Sequence, residues 1–138
     1  MLLDVFLRYM GDLDSWHEGR KAQLSSSLRA ELQSDIAKPL GIAAGEVDRT
    51  FGVIRAANAS IRAIEAEMVA HANQRARLEL GPVPSVMEAL KVRRAAAVTS
   101  GLNALRTALS PSSAAGIDDF MNNRLNSSIK LFRRPNAR

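Results

Sequence analysis

Residues 45–80 read GEVDRTFGVIRAANASIRAIEAEMVAHANQRARLEL and contain no proline. The apolar residues of this stretch recur at alternating steps of three and four, the spacing of a coiled-coil-like helical seam. The seam positions are Val47, Phe51, Ile54, Asn58, Ile61, Met68 and Ala72, and Glu65 falls on the same line. At 1.5 Å per residue such a helix is about 50 Å long. We expect it to form the spine of the molecule, or to extend into a dimer.

Two helices are predicted before this spine. The first covers about residues 2–16, carries three of the six aromatic residues and stops near Gly19. The second begins after the serines at 25–27, repeats leucine or isoleucine every four residues, and ends at Pro39 and Gly41. Both have an apolar stripe, so both are expected to pack against the spine.

Two more helices are predicted after it. The segment 81–84 (GPVP) is a hard break, and Ser85 with Glu88 fits a capping box at the start of the next helix. Ser110 followed by Pro111 is a start signal for the last one. The fold class is therefore predicted to be all-α, a four- to five-helix antiparallel bundle with one long central helix.

The bundle is predicted to be a single domain over residues 1–132, followed by a basic mobile tail at 133–138. The residues expected to form its core are Phe6, Tyr9, Leu13, Trp16, Phe51, Ile54, Ile61, Met68, Leu90, Leu105, Ile117, Phe120 and Leu125. A hydrophobic fraction of 46% and a charged fraction of 24% are ordinary for a globular protein.

Composition excludes several classes of function. The chain has no cysteine, which rules out disulfides, thiolate nucleophiles, zinc fingers and iron–sulfur clusters. It contains neither a glycine-rich phosphate loop nor a G-x-S-x-G elbow, and its neighbouring acidic residues do not share a helix face. We therefore predict a protein that is not an enzyme and has no cofactor. No apolar run is long enough for a membrane span.

Basic residues concentrate towards the C-terminus. Residues 81–138 carry 9 basic and 3 acidic side chains, against a net charge of +5 for the whole chain. Lysines and arginines in this part are candidates for contacts with an acidic protein or with a nucleic-acid backbone. The candidates are Lys91, Arg93, Arg94, Lys130, Arg133, Arg134 and Arg138. No helix-turn-helix pattern or aromatic residue on a basic face accompanies them, and a solvated surface explains them equally.

One cluster has the spacing of a metal site. Glu67, Met68 and His71 lie one turn apart on the predicted spine, so that their side chains are neighbours. Carboxylate, thioether and imidazole together suit a transition metal such as copper. The alternative is that Met68 belongs to the core and His71 pairs with Glu67.

The aromatic first helix supports a third interpretation. Phe6, Tyr9 and Trp16 are candidates for contacts with a partner protein or with a second copy of the chain, because amphipathic helices commonly bind through such faces. The same residues would be equally satisfied inside one monomer. An apolar patch left exposed by the fold would distinguish these alternatives.

The order of motifs resembles that of a group of exported, all-helical bacterial proteins without an assigned activity. The resemblance lies in residues 5–14 (VFLRYMGDLD), in 39–42 (PLGI) and in 105–120, where a Ser-Pro and an Asp-Asp-Phe follow an arginine and a leucine. More distantly, the helix start at 109–111 looks like that of small periplasmic proteins of the CpxP and Spy kind, which act as stress chaperones or metal sensors and form helical dimers. Ser113 stands where their motif has glutamine, so no binding residue carries over.

The resemblance implies an exported location and no catalysis. The sequence as a whole predicts a non-catalytic binding or assembly module of the bacterial envelope, with apolar helix faces as its working surface and the basic C-terminal part steering acidic partners. A cytoplasmic module that binds nucleic acid through the same basic part is the alternative.

Overall fold

The computed structural model describes residues 2–125, which form five α-helices and no β-strand. A 3₁₀ turn at Ala44–Glu46 leads into the long third helix, and the fifth helix continues as a π-helical turn over Phe120–Arg124. The helices are α1 (Leu2–Lys21), α2 (Ser26–Leu40), α3 (Val47–Ala76), α4 (Pro84–Ala108) and α5 (Pro111–Asp119). The predicted all-α bundle with one long helix is confirmed.

Helices α3 and α4 form an antiparallel hairpin that is the most extensively packed pair in the protein. Near its base the two backbones come very close, since a Cβ atom on Gly101 would lie 2.6 Å from the Cβ of Ala57. Small residues at this crossing allow the close approach that larger side chains would prevent. Further out, Arg93 pairs with Glu67 across the two helices at 2.9 Å.

Helix α1 lies antiparallel to α3. Near the middle of the pair, the side-chain amide of Asn58 donates to the backbone carbonyl of Leu7 at 3.2 Å. A Cβ on Gly11 would lie 2.9 Å from that same amide nitrogen, so glycine leaves the space that Asn58 fills. The polar residue on the predicted seam therefore fixes the register of α1 on α3, because a partly buried amide that loses this partner is costly.

Helix α5 docks onto the end of α2 through two glycines. Gly41 ends α2 in the left-handed conformation, with φ of +71°. Gly116 packs against it so closely that a Cβ there would lie 1.8 Å from the Gly41 carbonyl oxygen. The start signal predicted for α5 is confirmed, since the Ser110 hydroxyl accepts from the Ser113 backbone N–H. By contrast, the predicted capping box at Ser85 is wrong, because Val83 occupies the cap position of α4 without a side-chain bond.

Most of the predicted core is buried, but the inward face of α1 is not the one expected. Trp16, a predicted core residue, is instead 52% exposed, and the predicted core residues Tyr9, Leu13 and Met68 are half-buried. The buried positions of α1 are Phe6, Leu7, Met10, Asp14 and His17. The helix is thus rotated by about one residue from the apolar stripe, because two polar residues face inward where the pattern has none. The tail 133–138 lies outside the described residues.

Candidate functional site

The side of α1 that the core does not cover carries an apolar stripe. Tyr9 and Leu13 are half-buried, and Trp16 continues their line with half of its surface exposed. The stripe is anchored to the core, because the centroid of the Tyr9 ring lies 5.5 Å from the centroid of the Phe120 ring. Partial burial raises the pKa of the Tyr9 hydroxyl. We call Tyr9, Leu13 and Trp16 the aromatic face.

Two depressions meet along the aromatic face. The smaller one, of about 220 Å³, lies between α1 and α2 and is walled by Leu32, Asp35 and Pro39 on the α2 side. The larger one, of about 1000 Å³, extends along α1 towards α3. Its far wall is formed by Asn58, Ile61, Arg62, Glu65 and Arg94. The aromatic face therefore forms a ridge between two concave surfaces, a shape that suits another helix or an extended apolar segment.

Both paired and unpaired charged residues border this face. Arg94 is already engaged, since it pairs with Asp4 at 2.5 Å and lies 3.6 Å from Glu65. Arg8 and Asp12, in contrast, are exposed on α1 and form no ion pair or hydrogen bond with any residue in the range 2–125. One positive and one negative side chain are therefore open to a partner immediately beside the apolar stripe.

A polar cluster built around the buried Asp14 lies behind the aromatic face. Arg55 reaches from α3 to Asp14 and donates to both carboxylate oxygens at 2.6 Å, and it also donates to Glu18 at 2.9 Å. These bonds raise the pKa of the Arg55 guanidinium, those to Asp14 most of all. The pKa of Glu18 is lowered, first by its hydrogen bond from Lys21 and then by that from Arg55. Asp14 is only 6% exposed, so Arg55 supplies the charge that makes its burial possible.

This cluster also has the composition of a metal site. One ligand atom from each of Asp14, His17 and Glu18 lies within 4.8 Å of the others, and the buried Nδ1 of His17 has no hydrogen-bond partner among the described residues. A divalent cation, however, would have to displace Arg55 from both Asp14 oxygens. Arg55 and Lys21 already balance the two carboxylates. The His17 ring packs 5.3 Å from Phe51, as a core side chain does. We therefore assign the cluster to joining α1 and α3.

The metal site predicted on α3 has other partners for two of its three residues. Glu67 pairs with Arg93, and Nε2 of His71 accepts from the backbone N–H of Val83 at 3.0 Å. Met68 is half-buried. This hydrogen bond attaches the segment before α4 to α3. His71 therefore has a structural role that the sequence did not indicate. Metal binding by this trio stays a prediction.

Only some of the residues predicted to contact a partner are exposed and unpaired in the structure. Phe6 is completely buried, so it supports the aromatic face from the core, whereas Tyr9 and Trp16 reach the surface. Arg93 and Arg94 both form ion pairs within the protein. Lys91 is exposed, and Arg133 and Arg134 lie outside the described residues, so that nucleic-acid binding by the basic part stays a prediction.

Sequence reasoning missed a second apolar surface at the far end of the α3–α4 hairpin. Leu78 is 68% exposed, and Leu80, Val86 and Val69 are also open to solvent. These residues lie beyond the part of α3 that α1 covers. These residues do not lie on one helix face, and charged residues separate Val69, Leu78 and Leu80 in the sequence. No hydrophobic pattern therefore indicates this surface.

Comparison with known protein families, with characterised proteins and with solved structures finds no match to this chain. Within the part that the structure describes, no helix combines the length and hydropathy needed to cross a bilayer. The function is therefore inferred from the surfaces of the molecule itself.

Proposed function

We propose that this protein is a non-catalytic binding module whose aromatic face packs against an apolar surface of another protein chain. The observation that carries the proposal is the position of Trp16. This large side chain is half exposed in line with Tyr9 and Leu13, between two depressions, while the opposite side of the same helix lies in the core. Tryptophan and tyrosine are the residues that most often dominate binding energy at protein interfaces.

The surroundings of the aromatic face support an interface rather than a reaction centre. The clustered carboxylates behind it, Asp14 and Glu18, are paired with Arg55 and Lys21. A general acid or base needs a free proton-accepting group that reaches a substrate, and these carboxylates are held by ion pairs instead. An apolar ridge bordered by open charges resembles the anatomy of an interface, with a dry centre and a polar rim.

The proposed location is the bacterial envelope. This part of the proposal rests on the resemblance to exported all-helical proteins. Detection of the chain in the periplasmic fraction of its host supports the location. Detection in the cytoplasm alone would favour the alternative in which the basic C-terminal part binds nucleic acid.

Site-specific cross-linking tests the proposed interface. A photoreactive phenylalanine analogue replaces Trp16 in the full chain, and the same analogue replaces Leu28, which has similar exposure but lines neither depression. After irradiation in host extract, we expect a discrete adduct from position 16 and none of comparable yield from position 28. An excess of unlabelled protein competes for the adduct. Excess Trp16→Ser protein is expected to compete at least about tenfold less well, since removal of a central tryptophan typically costs that much affinity.

Two results would count against the interface. Adducts of equal yield from positions 16 and 28 would show that contact at the aromatic face is unspecific. Equal competition by the Trp16→Ser chain would show that the indole contributes nothing to binding. An adduct with a second copy of the chain and an adduct with another protein both support the proposal, because each places a protein surface on this face.

A further inference from the structure

We infer that the occupant of the aromatic face is a second copy of this chain, packed with α1 antiparallel to its counterpart around a twofold axis at Tyr9. This inference rests on the proposed function and names its partner. It comes from three features of α1: the symmetry of its partly exposed apolar residues, the two open charges beside them, and the size of the surface.

One line of apolar positions along α1 reads the same in both directions; Leu3, which is also half-buried, lies about 120° around the helix from this line, on the core side. Leu2, Val5, Tyr9 and Leu13 are half-buried, Trp16 is exposed, and their steps of three, four, four and three are symmetric about Tyr9. In an antiparallel helix pair centred on Tyr9, Val5 therefore faces Leu13 of the second copy, and Leu2 faces Trp16. A twofold interface requires such a self-complementary patch, since the same surface is used on both sides.

The open charges are also self-complementary in this arrangement. Arg8 and Asp12 lie on the same flank of the stripe, because successive residues turn by about 100° around a helix. A twofold axis brings that flank of one helix against the same flank of the other. Arg8 of one copy then lies about 3 Å along the axis from Asp12 of the second, at 1.5 Å per residue. The symmetry forms this ion pair twice and gives each charge the partner that it lacks within residues 2–125.

The size of the surface predicts a reversible dimer. Helix α1 is about 30 Å long and presents a band roughly 10 Å wide, a few hundred Å² in all. A standard stable interface buries about 800 Å² on each partner. The walls of the two depressions add contact area on both sides of the ridge. The total area stays near the lower limit for a stable protein interface. We therefore expect association in the micromolar range rather than an obligate dimer.

Charge exchange between two variants tests the arrangement. Arg8→Asp leaves two acidic residues on the flank, and Asp12→Arg leaves two basic ones, so each variant repels its own copy. We expect each to dissociate at least about tenfold more readily than the wild type. An equimolar mixture of the two is expected to form a heterodimer well above the statistical fraction, since every charge again meets its opposite. Native mass spectrometry of chains with different mass tags counts the three species directly.

The matched control is Lys91→Asp, a charge reversal at an exposed position of α4 that leaves α1 unchanged. It is expected to dimerise like the wild type. Far-ultraviolet circular dichroism checks that every variant keeps its helix content, and formation of a heterodimer itself proves that the single variants remain folded.

Three results would overturn the inference: a wild-type chain that stays monomeric at about 100 µM, single variants that dimerise like the wild type, or a mixture with no excess of heterodimer. In each case an adduct of position 16 with a different protein leaves the binding function standing with another occupant. Absence of any adduct at position 16 would contradict both the dimer and the proposed binding function.

Discussion

Replacing Gly116 by alanine is expected to destabilise the protein by about 2–3 kcal/mol. The new Cβ would lie 1.8 Å from the carbonyl oxygen of Gly41, where real Cβ contacts stay beyond 3.0 Å. The three atoms nearest to the new methyl group are the carbonyl oxygen, the carbonyl carbon and the Cα of Gly41, all of them backbone, so no side chain can turn away. Helix α5 must therefore retreat by more than an ångström at Gly116, and with it Ile117 and Phe120, which are 1% and 2% exposed.

The magnitude follows from three contributions. Inserting a methyl group into a packed contact typically costs about 1–3 kcal/mol, and more where the neighbours cannot move. A gap of 0.5–1 Å around the displaced core residues also forfeits about a quarter to a half of their dispersion contacts. Alanine returns up to about 1 kcal/mol through its helix propensity. For a chain of this length the net loss lowers the thermal midpoint by roughly 10 °C.

Thermal and urea denaturation followed by circular dichroism measures the effect, with Gly52→Ala as the matched control. Gly52 lies in the second turn of α3, is exposed, and has no neighbouring atom within 4 Å of the position of a Cβ. Its replacement is expected to stabilise the protein by about 0.5–1 kcal/mol. A Gly116→Ala protein as stable as the wild type would refute the backbone-to-backbone docking of α5 on the end of α2.

Three further predictions concern the contacts that hold α1, α3 and α4 together. Gly101→Ala is expected to lower the free energy of unfolding by about 1–2 kcal/mol, because its Cβ would meet that of Ala57 at 2.6 Å. Adding Ala57→Gly restores part of this loss, and a double-mutant cycle that shows no coupling would contradict the contact. Arg55→Ala is expected to cost about 2–3 kcal/mol, since it leaves the buried Asp14 carboxylate unpaired, whereas Asp14→Ala costs about 1 kcal/mol because the half-exposed guanidinium returns to water. Chemical denaturation measures both, and the reverse order would be inconsistent with the ion pair. The pKa of Glu18 is lowered by the lysine one turn further along α1 and by Arg55, so its contribution to stability is present above the unfolded pKa and lost as the pH falls through the folded one. Glu18→Gln is therefore expected to flatten part of the loss of stability in acid, and unchanged pH dependence would disprove the linkage.

The long helix could be predicted because its seam is local information. Steps of three and four repeat along residues 47–72 with no proline, and the helix found there ends within a few residues of the predicted limits. The start of α5 was also predictable, since Ser110 and Pro111 act on their own turn. Where the signal depends on nearby residues, sequence and structure agree.

The orientation of α1 was not predictable in the same way. Its inward face includes Asp14 and His17, and a pattern based on hydropathy places such residues outside. Asp14 is buried because Arg55 reaches it from 41 residues further along the chain. That long-range ion pair turns the helix by about one residue and brings Trp16 to the surface.

The candidate site was therefore only partly visible in the sequence. Tyr9 and Trp16 were identified as possible partner contacts, but Phe6 beside them belongs to the core. Arg93 and Arg94 looked available for phosphate, and both are engaged by acidic residues distant in the sequence. Which charges remain open is a property of the tertiary structure, and Arg8 and Asp12 became candidates only once their neighbours were known.

The fluorescence of Trp16 reports on whether the aromatic face is the binding surface, because Trp16 is the single tryptophan of the chain and lies on this face. The chain is titrated with the partner identified by cross-linking, whether that is a second copy or another protein, and emission and acrylamide quenching are followed. We predict a shift to shorter wavelength and a loss of quenching that saturate together with complex formation, since the indole leaves water. A complex that forms while Trp16 keeps the emission and quenching of an exposed indole would contradict the claim that this face is the binding surface.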